Sequence, residues 1–71
     1  SEMPRLSKEM AAVERKIAKT RDQLAAVEDD MAVYATDMDQ LVTLGAQVDE
    51  LKHQLDDLET RWLELGEQLE G

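Results

Sequence analysis

The apolar positions of this chain fall into two runs that mirror each other. From Leu41 one run continues through Leu44, Val48, Leu51, Leu55, Leu58, Trp62, Leu65 and Leu69, in strictly alternating three- and four-residue steps. That spacing is the seam of a coiled coil. A second run upstream, Leu6, Met10, Val13, Ile17, Thr20, Leu24, Val27, Met31 and Tyr34, takes its steps in the opposite order. Each member of one run has a partner in the other such that their residue numbers add to 75, from Leu6 with Leu69 to Tyr34 with Leu41. In heptad letters every such pair joins an a position to a d position, as layers do when two helices run antiparallel. A seam this narrow cannot be buried by its own helix. The pattern therefore predicts an all-α fold, an antiparallel two-helix coiled coil closed as one helical hairpin near residue 37.

Residues 1–4 read as a linker or cloning remnant, because Pro4 is tolerated only at or before a first helical turn. The hairpin is expected over residues 5–70, with helix one at about 5–33, a turn at about 34–37 and helix two at about 38–69. From Ser7 to Glu28 the residues are good helix formers with no Gly or Pro. Propensity weakens between Asp29 and Asp39, where two caps for helix two present themselves, Thr36 with Asp39 or Asp37 with Gln40. Acidic side chains there also suit the positive end of the second helix.

Three details qualify the seam. Thr20, opposite Leu55, either fixes the register or bonds back to its own helix. Gly45 and Gly66 take e positions, at about 1 kcal/mol each relative to Ala; they either admit a close neighbour or are tolerated beside the seam. The nearest flanking pairs, Glu14 with Glu59, Arg21 with Lys52 and Lys16 with Arg61, are like-signed, an opposition of only about 0.2–1 kcal/mol each. Truncating Trp62 or Leu51 is expected to remove roughly 2–5 kcal/mol. A monomer is the expected state. The alternative is one unbroken helix dimerising in parallel, which needs Met38, Leu41 and Leu44 at successive three-residue steps, a phase break in the coil.

Composition narrows the class. The chain has 71 residues, 35% of them charged, with one Trp, one Tyr and no Phe, so no broad core can form. No Cys is present, which removes disulfides and thiolate chemistry and fits a cytoplasmic setting. No apolar run approaches the roughly 18 residues of a membrane span, and no signal peptide is visible. The net charge is −9, yet residues 22–51 carry eight acids and no base, while all eight bases lie outside them. The folded rod thus has an acidic tip.

Arg5, Lys8, Arg15 and Lys19 follow three- and four-residue spacing on the outward face of helix one, with Ala12 between them and Lys16 and Arg61 beside them. This stripe is the anion-binding surface the sequence offers. Phosphate backbones bind such stripes by counterion release; the alternative is a solvated helix face. No aromatic residues interleave with the bases to stack on nucleobases. The single His53 sits at an outward f position without supporting nucleophile or ligand. Glu28, Asp29, Asp30, Asp37 and Asp39 lack the ordered oxygens and Gly of a calcium loop, and there is no Gly-rich phosphate loop. The chain is read as non-enzymatic, with no cofactor or metal of its own.

Tyr34-Ala35-Thr36-Asp37, then Leu58-Glu59-Thr60-Arg61-Trp62-Leu63-Glu64-Leu65, with Arg5-Leu6-Ser7 opening helix one, resemble the C-terminal coiled-coil domain of ABC-F ATPases of the Uup type, actinobacterial members above all. The resemblance spans nearly the whole chain. It implies an accessory tail of a larger protein whose tandem ATPase domains, in cis, bind ATP and Mg and act around ribosomes or nucleic acid. Such tails are associated with DNA binding; joined to the stripe, this gives the expectation of weak contact with DNA or ribosomal RNA through Arg5, Lys8, Arg15, Lys16, Lys19 and Arg61. The alternative is a protein-interaction or spacer arm whose acidic tip meets a basic protein surface.

Overall fold

The computed structural model of the chain describes residues 2–71. Helix α1 spans Glu2–Val33 and helix α2 Met38–Glu70, and the two pack side by side along a rod of 54 × 14 × 13 Å. They run antiparallel, since Leu6, Val13 and Leu65 form one buried cluster with Met10, Ile17, Leu58 and Leu69 against it. An unbroken single helix is excluded for this chain, because residues 34–37 leave the helical path.

Helix α1 begins ahead of Arg5, at Glu2; Ser1 lies outside the described residues. Pro4 sits within the first turn, where its missing N–H would have had no helical acceptor. The turn is built by hydrogen bonds and not by glycine. Tyr34 N–H donates to the Asp30 carbonyl at 2.9 Å, and Asp37 N–H to the Tyr34 carbonyl at 2.9 Å. Asp37 is extended (φ −103°, ψ 98°) and its Oδ1 accepts from the Gln40 N–H at 3.1 Å. Of the two caps the sequence offers, the chain uses this one. It satisfies an otherwise orphan donor and puts a carboxylate at the positive end of α2.

The seam is continuous but unevenly covered. Leu65 is 0% exposed, and Leu6 and Val13 beside it are buried. Towards the turn Leu44 and Val48 are buried, while Leu24, Val27, Met31, Leu41, Leu51 and Leu55 are half-buried. A lone pair of helices leaves most seam residues open on one side, because each layer has only two members. Thr20 is buried and its hydroxyl donates to the Lys16 carbonyl at 2.7 Å, bonding back to its own helix.

Two expectations about the flanks are corrected. Trp62 holds an a position yet is 36% exposed. Its ring borders a shallow cleft with Ile17, Ala18 and Arg21, and its Nε1–H donates to Glu14 at 3.2 Å. An indole is too large for a two-member layer and needs an acceptor for its N–H, so it leans out of the seam. Three members of the like-signed pairs, Arg21, Glu59 and Arg61, are engaged with opposite charges instead. Arg61 reaches Glu9 at 2.8 Å and Arg21 reaches Glu59 at 3.8 Å, each bridging the helices diagonally. Long side chains choose among several partners along the flank, and opposite charge decides among them.

Around Gly45 a Cβ would meet nothing within 4 Å, and at Gly66 it would touch only the Met10 Cε at 3.8 Å. Neither glycine is required by a close approach. No helix among the described residues is long and apolar enough to cross a membrane.

Candidate nucleic-acid interface

The first five turns of α1 carry the stripe. Residues five to nineteen rise by about 21 Å along a helix, which matches about six successive phosphates on one strand of a duplex. Arg5, Lys8, Arg15, Lys16 and Lys19 are all exposed. Among the described residues Lys8, Arg15, Lys16 and Lys19 make no ion pair with a carboxylate of the rod. Lys16 and Lys19 also line a cleft of about 480 Å³ on the seam's flank, with Thr20, Gln23, Gln54 and Asp57.

Arg61 is different. Its Nε donates to Glu9 at 2.8 Å and its Nη1 to Glu64 at 3.2 Å. The hydrogen bond to Glu9, and then that to Glu64, hold its pKa above the ordinary guanidinium value, against a small opposing effect of burial. Its charge is thus engaged by two carboxylates, one of them on the opposite helix. Arg5, Lys8, Arg15, Lys16 and Lys19 lie on α1 and are exposed.

Among the described residues no three His, Cys, Asp or Glu side chains converge closely enough to hold a metal ion, and no buried side-chain nitrogen or oxygen lacks a partner. His53 is exposed on α2.

What the mirrored pattern did not reveal is a set of apolar side chains off the seam. Val33, Met38 and Val42 stand out on the tip. Their signal was present in the sequence, because they belong to neither run, but a reading based on two seams has no place for them.

Residues 5–67 match the family described as ABC transporter C-terminal domain. The chain belongs to that family. No curated protein and no solved structure gives a match. As an ABC transporter C-terminal domain, the hairpin is an accessory domain of an ABC protein, a small two-helix unit without a nucleotide-binding fold. The match starts at Arg5, where the stripe starts, and stops short of the last turn of α2.

Proposed function

We propose that this ABC transporter C-terminal domain is the non-catalytic tail of an ABC-F type ATP-binding protein of the Uup kind and contacts nucleic acid, DNA or ribosomal RNA, through α1. The observation that carries the reading is the row of exposed cations Lys8, Arg15, Lys16 and Lys19, which pair with no carboxylate among the described residues. Arg5 extends the row at the open end. A helix face of this kind grips phosphates without reading bases, so the contact is weak, sequence-tolerant and strongly salt-dependent. ATP and Mg belong, in this reading, to the ATPase domains in cis and to a cytoplasmic setting.

One hairpin is the acting unit. Sedimentation at several concentrations should return a mass near 8.0 kDa; twice that mass would reinstate the dimer. For the contact itself, four released counterions give an expected slope of about −3.6 when log affinity for a short duplex is plotted against log salt. Replacing Lys8, Arg15, Lys16 and Lys19 by Gln should abolish binding, and an unchanged affinity would overturn the assignment.

A further inference from the structure

The half of the rod near the turn carries apolar side chains that the seam does not use. Val33, Met38 and Val42 are 75%, 71% and 70% exposed. An open groove of about 880 Å³ runs between the helices there, lined by Ala26, Val27, Val42, Thr43, Ala46 and Leu51. Apolar surface gathered in one place on so small a body marks a contact surface.

Glu50 lines the groove itself, and further carboxylates stand on the outward faces of both helices in the same half of the rod. On α1, Asp22, Ala26, Asp29 and Val33 follow in steps of four, three and four; on α2, Asp39, Val42, Ala46 and Asp49 follow in steps of three, four and three. All of these residues are exposed. On α1 acids alternate with small apolar groups along the outward row, and on α2 two acids flank two apolar groups. Residues 22–51 contain eight acids and no base, so nothing within the tip neutralises them. Asp29 and Asp30 also lie in the last turns of α1, where the helix dipole disfavours negative charge and no basic residue offsets it.

This charge selects the occupant. A second copy docked tip to tip would bring eight further acids against the first eight, and a nucleic acid or an anionic membrane surface would be repelled in the same way. We infer that the tip groove docks a basic amphipathic helix of a partner protein, its apolar residues entering between α1 and α2 and its Lys and Arg meeting Asp22, Asp29, Asp39 and Asp49. Apolar anchors at i, i+3 or i+4 and i+7 supply the affinity of such a contact, and the flanking charges set its orientation and encounter rate. The site is at the opposite end of the rod from the phosphate-binding stripe and does not depend on it.

The test uses the full 71-residue chain and three labelled peptides of about five helical turns, followed by fluorescence anisotropy. One carries Leu at helical spacing with Lys elsewhere; the second has the same composition with the Leu phase shuffled; the third keeps the Leu phase but replaces Lys by Glu. The first peptide should bind, the second should bind about tenfold more weakly or worse, and the third should not bind. In the chain, V42Q/A46Q changes two exposed helix positions to a good helix former, so its circular dichroism should be unaltered while affinity for the first peptide falls about tenfold. D39N/D49N should flatten the salt dependence of peptide binding. Equal binding of the shuffled peptide, or full affinity in V42Q/A46Q, would overturn the inference by reducing the contact to unspecific charge attraction. Concentration-dependent dimerisation that V42Q/A46Q abolishes would overturn it too, by giving the groove to a second copy. Gln at Lys8, Arg15, Lys16 and Lys19 should leave peptide affinity intact, so this inference and the nucleic-acid reading fail separately.

Discussion

The open end of the hairpin and its tip are built from the same heptad spacing and differ in almost everything laid over it. At the open end Leu65 is sealed by Leu6 and Val13, and the flanks are joined by Arg61 to Glu9, Arg21 to Glu59 and the Trp62 indole to Glu14. At the tip only Leu44 and Val48 are buried, and with no base between residues 22 and 51 no ion pair can form within it. Seam periodicity decides where two helices meet. The flanking residues decide how firmly they are held, and here they divide the rod into a clamped half and a half left available for contact.

The largest test of that contrast is a pair of truncations. Leu65→Ala removes a fully enclosed side chain and should cost about 2–5 kcal/mol, enough to unfold most of so small a domain. Leu51→Ala removes a half-buried one and should cost under about 2 kcal/mol, less than its place in the seam alone suggests. Urea unfolding followed by circular dichroism measures both. Equal losses would mean that the two halves are packed alike.

Next in size is the turn. Asp37→Ala deletes the cap on Gln40 N–H and should lower stability by about 1 kcal/mol; a neutral result would mean that the turn is held by its backbone bonds alone. Gly45→Ala acts in the opposite direction. With open space around the new methyl, it should stabilise the tip by about 0.5–1 kcal/mol, read as a raised Tm. A lowered Tm would reveal a close neighbour at that point.

The smallest effect belongs to Arg61→Gln, which should lower Tm slightly and more at low salt than at high salt. Its pH dependence has a definite sign. A guanidinium whose pKa is raised on folding contributes fully below its ordinary value and loses that contribution only as pH rises through the raised one. The difference between wild type and variant should therefore stay flat from about pH 6 to 9, and a strong trend within that range would point to another group.

Much of this fold could be read from the chain, because the sum of 75 ties Leu6 to Leu69 and Val27 to Val48 in an antiparallel arrangement, and the break at 34–37 closes it as a hairpin. The turn at 34–37 and the back-bonded Thr20 follow from the same local chemistry. Periodicity gives a residue's direction from the helix axis but not its reach. Trp62 points at the seam and is too large to enter it; Arg61 shares the flanking g position with Lys16 across the seam and extends to Glu9. That Lys8, Arg15 and Lys19 share one helix face follows from their spacing. The pairing of Arg61 with Glu9 and Glu64 does not, since it depends on which carboxylate a flexible arm finds. The exposed Val33, Met38 and Val42 belong to no run and so escaped a pattern built from runs.

The rod's 54 Å length has a consequence for its electrostatics. Mobile ions at physiological strength blur a charge beyond about 8 Å, so the body extends over several such distances. What a polyanion senses on approach is the local sign of the nearest patch, and most of the deficit carried by the far carboxylates is invisible to it. An acidic isoelectric point is then no bar to gripping phosphates: overall charge governs solubility, while placement governs docking.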